Sequence, residues 1–507
     1  MRLFDRKNQY KKAALCFWAC TALTLPLSGC SFQTGEMPEG TMETELSEEN
    51  EAPEDGVIIW TMPEGYCDLN QYADKFNQKL AEDGYDFRVV FEYLPENGYH
   101  EAVGKRLAEG STDIAFLGFR SEYDNAPAAL IREGNLEELT SFLDSGEGAV
   151  LRDFYRDEIW DTVRVDGGIY SLPNQCAICG GDCFVFNREL FSEDDVADFD
   201  GGMETFGKLV EILDGGDFSQ VQYPVICGRS LWSAAQMGGY EYRNGVFISL
   251  TTGEVFNPYE TEALREFLYT MQSLYQNGYL GEDGAAYEMD FRKREQAVSE
   301  RNFGVWISDT SSAAAQKMKG EMVCVEGPYS LVSTVSAGTG VSRYAPNKEA
   351  ALTLLTLLYT NAEYGNLLLL GEEGVDYVLT DGYICALSGE NKSVYVQELL
   401  TGLYDNIHPA VDDNLPVNRR QTRFEIYDSD VRMGSAILGF QENTEGIEDR
   451  LAAVCRAAEQ YADIWKEEDL ERAIEEAVEA YRAAGGDLVV EEMSRQIEEW
   501  RSGDGNR

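Results

Sequence analysis

Three closely spaced cysteines, Cys176, Cys179 and Cys183, are the residues of this chain whose spacing most suggests chemistry. Thiolates at a C-x₂-C-x₃-C spacing can share a zinc ion or an iron–sulfur cluster. Three ligands are one fewer than a closed tetrahedral site needs, although Cys227 could supply a fourth. The alternatives are thiols that pack as small apolar groups, or one disulfide between Cys179 and Cys183. We predict a structural role for this cluster and no bound metal.

Signals for catalysis are sparse. His100 and His408 are the two histidines of the chain, and neither stands beside a nucleophile motif. No nucleophile elbow, phosphate-binding loop or zinc-protease motif is present in the sequence. The 91 acidic residues make a carboxylate pair at glycosidase spacing expected by chance alone. We therefore predict that the protein is not an enzyme and needs no cofactor.

The N-terminus has the pattern of an export signal. Basic residues dominate positions 2–12, positions 13–28 carry no charge, and Leu-Ser-Gly-Cys follows at 27–30. The apolar run is shorter than the roughly 20 residues of a membrane span. The ending resembles the lipobox of bacterial lipoproteins, which implies a signal peptide over 1–29 and lipid on Cys30. The alternative is a plain signal peptide in which Cys30 has no such role.

The segment after Cys30 has the composition of a tether. Residues 31–56 contain nine acidic residues and no lysine or arginine, so we predict a disordered stalk over 30–56. The whole chain has a net charge of −50, and residues 1–29 carry +4, so the remainder carries −54. Such a charge argues against binding to nucleic acid or to an anionic membrane surface by general attraction.

From residue 57 onward, strand and helix patterns alternate. Apolar or β-branched runs at 57–60, 87–94 and 114–117 predict strands, and an apolar stripe from Leu69 to Leu80 predicts a helix between the first two. This order predicts a parallel sheet with helices on both faces, and ligands bind at the carboxyl ends of such strands. Helical stripes fill the C-terminal region, where Trp465 and Trp500 are interpreted as packing residues.

Seven segments, in the same order, resemble the family 1 extracellular solute-binding proteins of bacterial ABC importers. Thr-Asp-Ile-Ala-Phe at 112–116 is similar to the family's third strand, and Val-Arg-Val-Asp-Gly-Gly-Ile-Tyr-Ser-Leu-Pro at 163–173 to its first crossing between lobes. The other five lie at 184–190, 275–280, 335–338 with 346–350, 371–377 and 432–500. The last two are similar to the subgroup of large lipoproteins named after LplA and the alginate-oligosaccharide receptors.

This resemblance implies an α/β, two-lobed, periplasmic-binding-protein-like fold. Its lobes would be discontinuous, joined by a hinge of crossing strands, and the C-terminus would be helical. Lobe one would comprise 57–172 with 315–385, and lobe two 173–314 with 386–507. Two lobes on a narrow hinge can close on a ligand within microseconds to milliseconds.

The resemblance also suggests a sugar site built from aromatic rings, because pyranoses have apolar faces. Trp232 and Trp306 match the family's stacking helix and cleft tryptophan, whereas Trp160 is interpreted as structural. The full set of predicted ligand-binding residues is Trp60, Phe119, Arg120, Tyr170, Trp232, Tyr240, Trp306 and Asp309. Alginate-type relatives hold calcium in an Asp-rich loop. The matching residues here, Asp194, Asp195, Asp198 and Asp200, lack the spacing of an EF-hand loop, so we predict no metal.

Two functions remain open at this stage. The first is a monomeric binding lipoprotein, anchored by its N-terminal lipid on the extracytoplasmic face of the cell membrane. It would capture a carbohydrate, expected to be an oligosaccharide, and deliver it to the permease subunits of an ABC transporter. The second is a secreted polysaccharide-cleaving enzyme on the same tether. A third, less favoured hypothesis is a binding module for peptides or for a sensor kinase.

Overall fold

The computed structural model describes residues 56–64, 69–95, 97–118, 126–173, 179–227, 230–281, 297, 300–309, 322–328, 330–331, 338–380, 383–386 and 435–502. The predicted signal peptide, Cys30 and all but the last residue of the predicted tether lie outside the described residues. No helix in this described part combines the length and apolar character that a membrane span requires.

The strands of the first half are β1 (Val57–Pro63), β2 (Arg88–Leu94), β3 (Ile114–Leu117), β4 (Arg164–Val165), β5 (Gly168–Ile169), β6 (Ser171–Pro173), β7 (Cys179–Gly180), β8 (Asp182–Phe186) and β9 (Tyr223–Ile226). Those of the second half are β10 (Tyr240–Arg243), β11 (Val246–Ser249), β12 (Val255–Phe256), β13 (Phe303–Asp309), β14 (Val323–Glu326), β15 (Ser330–Leu331), β16 (Gly338–Val341), β17 (Tyr377–Thr380) and β18 (Tyr383–Ala386).

The helices up to residue 214 are α1 (Asn70–Glu82), α2 (Tyr99–Glu109), α3 (Ala126–Arg132), α4 (Thr140–Leu143), α5 (Ala149–Phe154), α6 (Asp157–Thr162), α7 (Met203–Phe206) and α8 (Lys208–Asp214). The later helices are α9 (Ser230–Gly238), α10 (Glu262–Gln276), α11 (Lys348–Thr360), α12 (Ala362–Leu370), α13 (Glu448–Gln460), α14 (Leu470–Ala483) and α15 (Gly486–Ser502).

Lobe one is built on a five-stranded sheet in the order β2-β1-β3-β16-β6. The first three strands are parallel, as their alternation with helices predicted, and the stripe of α1 buries Tyr72, Phe76 and Leu80. Strand β16 enters antiparallel between β3 and β6, although it comes more than 160 residues after either of them. One hydrophobic core surrounds this sheet and takes in α11 and α12.

Lobe two is built on a four-stranded sheet in the order β14-β8-β13-β9, in which β13 runs parallel to β9 and antiparallel to β8. Its main core also includes the β10–β11–β12 meander, α10 and the C-terminal helices α13, α14 and α15. Helix α10 begins at a Thr261 cap, whose hydroxyl accepts a hydrogen bond from the Leu264 amide. Trp465 is fully buried in this core, which agrees with its interpretation as a packing residue.

The chain crosses between the two sheets twice within the described residues. It leaves the first sheet at Pro173 and enters the second at Asp182, then leaves the second at Glu326 and rejoins the first at Gly338. Between these points β7 and β15 pair with each other in antiparallel fashion, which gives the predicted hinge of crossing strands. The return to lobe one lies later than the predicted position 315, because β14 still pairs with β8 of the second sheet.

Candidate functional site

The crossing strands define one edge on each sheet. In the first sheet, Gly338 lies directly beside Leu117 and Pro173, the carboxyl ends of β3 and β6. In the second sheet, the end of β13 at Asp309 pairs with the start of β8 at Asp182. The hinge pair β7–β15 connects these two edges. Because ligands of open α/β sheets bind outside the carboxyl ends of strands, we take the space between these edges as the candidate site.

Glycines allow the backbones to approach closely at this hinge. A Cβ atom at Gly338 would lie 2.8 Å from the carbonyl oxygen of Leu172, and one at Gly327 would lie 2.9 Å from that of Gly201. Both contacts are closer than real Cβ atoms tolerate, so side chains at these positions would push the crossing segments away from their neighbours. The amide of Gly327 also donates to the carbonyl of Asp182 at 2.8 Å, which ties both crossings together.

Trp60 does not lie where a stacking residue must be. Its side chain is only 1% exposed in the lobe-one core, and its ring centroid lies 5.8 Å from that of Phe91. Strand β1 lies between β2 and β3 and continues to Pro63, so Trp60 occupies the middle of a buried strand and not its carboxyl end. The prediction that Trp60 contacts ligand is corrected on this ground. Trp160, predicted to be structural, is fully buried and donates from Nε1 to the carbonyl of Arg152.

Trp306 is likewise buried, with 6% of its surface exposed. It lies in β13 within a small second cluster that includes Cys183, Val185 and Ile226, separate from the main core of lobe two. The sequence predicted an exposed stacking face for Trp306. The indole is instead enclosed, because the neighbouring strands β8 and β9 both contribute side chains around it.

Trp232 and Tyr240 keep part of their rings accessible. Trp232 lies in the first turns of α9 and makes an edge contact with Tyr242, with ring centroids 5.4 Å apart. Tyr240 begins β10 and stacks on Phe247, with centroids 5.5 Å apart. Both residues are half-buried against the lobe-two core, so each is supported by that core while part of its surface stays exposed. A face held in this way suits stacking on an apolar ligand surface.

The phenol of Tyr240 remains protonated at physiological pH. Its burial raises the pKa, and the carboxylates of Glu262 and Glu254 raise it further. The neutral hydroxyl can therefore both donate and accept a hydrogen bond. This combination of an apolar ring and a neutral polar tip matches a ligand that has hydroxyl groups beside an apolar face.

Tyr170 lies between β5 and β6, close to the first crossing. It is half-buried against the lobe-one core, and a Cβ atom at Gly168 would come within 2.6 Å of its ring. Asp309 ends β13 beside Asp182 at the lobe-two edge. Phe119 and Arg120 directly follow Gly118 at the end of β3 and lie outside the described residues.

A polar pair at the crossing was missed by sequence reasoning. Asp182, the first residue of β8, is buried at 3% exposure, and its carboxylate accepts a hydrogen bond from the Ser233 hydroxyl at 3.3 Å. This bond fixes the N-terminal part of α9, including Trp232, against the strand through which the chain enters lobe two. No motif marks the pair, because the two residues are 51 positions apart.

In the Asp-rich loop at 187–200, the carboxylates of Asp195 and Asp200 accept local hydrogen bonds. Asp195 accepts hydrogen bonds from the amide and hydroxyl of Ser192, which lower its pKa. Asp200 accepts from the Gly202 amide and the Thr205 hydroxyl, and the Lys208 ammonium donates to the Asp198 carbonyl. In the described ranges, no three His, Cys, Asp or Glu residues gather as metal ligands would. Of the clustered cysteines, Cys176 lies outside the described residues and Cys183 is buried.

Comparisons with known proteins agree with this architecture. A family model described as bacterial extracellular solute-binding protein matches residues 68–364, and one described as a domain of unknown function, DUF3502, matches 436–502. A carbohydrate ABC transporter substrate-binding protein of Streptococcus pneumoniae serotype 4 is 23% identical over 84% of this chain and 93% of its own length.

Solved structures with the same fold include two binding proteins. The crystal structure of the N-glycan transport solute binding protein NgtS from S. pneumoniae is 19% identical and has a TM-score of 0.64, covering 88% of this chain and 99% of its own. Alginate-binding protein AlgQ2 without calcium ion is 13% identical with a TM-score of 0.53, covering 87% and 98%. Since the first family model spans more than half of the 507 residues, this chain belongs to the bacterial extracellular solute-binding proteins.

Proposed function

We propose that this protein captures an oligosaccharide outside the cytoplasm and delivers it to the permease subunits of an ABC transporter. The observation that carries the proposal is the placement of Trp232. Its helix, α9, is fixed by the Ser233–Asp182 hydrogen bond to the strand through which the chain enters lobe two. A half-buried indole at a hinged edge, with Tyr240 nearby in the same core, offers a stacking face for a sugar ring.

The relatives support a carbohydrate ligand. The pneumococcal relative is named as a carbohydrate ABC transporter substrate-binding protein, and NgtS has been crystallised in complex with Man1GlcNAc and with Man5GlcNAc. The space between two lobes accommodates several sugar units more readily than a closed pocket within one lobe. We therefore propose an oligosaccharide of several units, bound by a monomer.

Binding without turnover tests this function. The purified body, residues 56–507, would be screened by thermal unfolding against a glycan panel that includes Man5GlcNAc, and the mixtures would then be analysed for products. A ligand present at about 100 times its Kd adds roughly 2.7 kcal/mol of stability. A rise in Tm with unchanged glycans supports capture. New reducing ends in the mixture would instead support the polysaccharide-cleaving enzyme.

Attachment through lipid on Cys30 is the second part of the proposal. The basic segment, the uncharged run and the Leu-Ser-Gly-Cys ending support it, and the acidic tether would hold the body away from the bilayer. Cys30→Ala in the full chain is expected to move the exported protein from the membrane fraction to the soluble fraction. A Cys30→Ala protein that stays with the membrane would show that the N-terminal segment itself is the anchor.

A further inference from the structure

A third connection joins the lobes, and it contains no strand. Residues 435–444, hereafter the strap, precede α13 and lie between the two cores. Ile437 and Phe440 are buried in the core of lobe two, whereas Leu438 packs against the core of lobe one. The strap therefore directs successive side chains to different lobes.

Side chains of lobe one hold the strap through hydrogen bonds that involve its backbone and Gln441. The Arg132 guanidinium, at the end of α3, donates to the carbonyls of Glu442 and Gln441 at 2.8 and 3.2 Å. Gln441 donates from Nε2 to the carbonyl of Arg164 at 2.7 Å. Gly439 has a φ of +84°, and a Cβ atom there would lie 2.7 Å from the carbonyl oxygen of Asp161.

Lobe two holds the strap through buried charges. The Glu442 carboxylate accepts from Arg243 at 2.7 Å and from Asn244 at 2.9 Å, and Glu442 is only 3% exposed. Arg243 is also paired with Glu241 and donates to the carbonyl of Phe440 at 3.2 Å. Removal of one partner from such a buried pair leaves an uncompensated charge, so this attachment is the firmer of the two.

The C-terminal helices support the strap from behind. The amide of Asn443 donates to the Gln496 side chain at 2.8 Å, and Gln496 donates back to the Asn443 carbonyl at 2.9 Å. Trp500 makes an edge contact with Phe440, with ring centroids 5.9 Å apart. The strap from Ala436 onward and these helices together form the matched domain of unknown function, 436–502.

We propose that this C-terminal domain anchors the strap to lobe two, so that the strap's contacts with lobe one set the balance between open and closed lobes. The β7–β15 pair alone is a narrow hinge, and a third attachment restricts the rotation that it permits. Arg132 is a positioning residue in this scheme, because it acts through its hydrogen bonds to the strap. The effect of the strap on the arrangement of the lobes can be measured without any ligand. Its effect on ligand affinity rests on the proposed function.

Arg132→Ala separates this role from a purely structural one. Arg106→Ala is the matched control, because Arg106 is a half-buried arginine of lobe one that forms an ion pair with Glu92 in the same lobe. Small-angle X-ray scattering of the unliganded proteins is expected to show a larger radius of gyration for Arg132→Ala than for Arg106→Ala. Amide exchange is expected to rise in the strap and β7–β15 in the first variant only. Arg132→Lys should restore part of the native profile, since an ammonium can still donate to one carbonyl.

Identical scattering and exchange profiles for Arg132→Ala and Arg106→Ala would overturn the proposal. Man5GlcNAc is the probe for affinity. If the wild-type protein binds it, the Kd for Arg132→Ala is expected to differ about fivefold or more from the wild-type value. If no glycan of the panel binds the wild type, the proposed function fails, while the scattering comparison still decides the role of the strap. If Arg132→Ala loses its cooperative unfolding transition, Gly439→Ala replaces it, because a Cβ atom there strains the strap's separate contact with Asp161 of lobe one.

Discussion

The two lobes use their aromatic residues in different ways. In lobe one, Trp60 and Trp160 are fully enclosed, and aromatic contacts such as Trp60–Phe91 stabilise the core. In lobe two, Trp232 and Tyr240 are backed by Tyr242 and Phe247 but are only half-buried. This difference indicates that the described tryptophans of lobe one act as scaffold, while lobe two adds partly exposed rings suited to stacking to the half-buried Tyr170 of lobe one.

The largest expected effect tests the scaffold side of this comparison. Trp60→Ala removes a buried indole from the centre of the lobe-one core and should lower the free energy of unfolding by about 3–5 kcal/mol. Denaturant unfolding measures this loss. Trp60→Phe is the control and should cost less, because the buried Trp60 indole N–H has no hydrogen-bond partner among the described residues. Full stability of Trp60→Ala together with weaker glycan binding would place Trp60 in the site after all.

A smaller loss of stability is expected for a substitution at Asp113, which directly precedes β3 at the end of the first sheet opposite the crossings. Asp113 is fully buried, and its carboxylate accepts from the amides of Ile59 and Asn347 at 2.9 and 3.1 Å. Asp113→Ala leaves both donors without their acceptor, at a total cost of about 1–3 kcal/mol, because Ile59 and Asn347 are only half-buried. Chemical denaturation should report this loss while glycan affinity in the folded variant stays native. A changed affinity would mean that this end of the sheet also affects ligand binding.

The sequence predicts features that depend on residues close together in the chain better than features that depend on distant ones. The stripe through Tyr72, Phe76 and Leu80 is local, so α1 was predicted correctly. The insertion of β16 between β3 and β6 was not, because a strand's neighbours depend on tertiary packing. The strap escaped notice for the same reason: Arg132 and Glu442 are 310 positions apart and belong to no motif.

Site residues were harder to predict than elements. An aromatic residue in a strand can be enclosed or exposed, and the choice depends on which elements cover each face. Trp306 looked as suitable as Trp232 in sequence and Trp60 was a further candidate, yet neighbouring strands and helices enclose both Trp306 and Trp60. Trp232 is only half-buried because α9 lies at the crossing edge, where Ser233 bonds to Asp182.

Trp232→Ala tests whether the partly exposed rings of lobe two bind the glycan. Loss of the stacking face should weaken glycan binding by about tenfold, equivalent to about 1.4 kcal/mol, as measured by calorimetric titration. Trp306→Phe is the paired variant in the same lobe, and it should affect stability more than affinity because Trp306 is enclosed. The comparison fails if Trp232→Ala binds normally and only its Tm falls.

The smallest effect is expected for the hydroxyl of Tyr240. Tyr240→Phe keeps the ring on Phe247 and removes only the polar tip, whose burial and acidic neighbours hold the phenol neutral. If that hydroxyl bonds to a sugar hydroxyl, the net loss should be about 0.5–1.5 kcal/mol, or a few-fold in Kd, with little change in Tm. The control is Tyr269→Phe, whose hydroxyl donates to Glu471 on the surface of the same lobe and should leave affinity unchanged. Equal affinities for both variants would confine the contribution of Tyr240 to its ring, and a loss in Tyr240→Phe alone would extend the lobe-two site from stacking to hydrogen bonding.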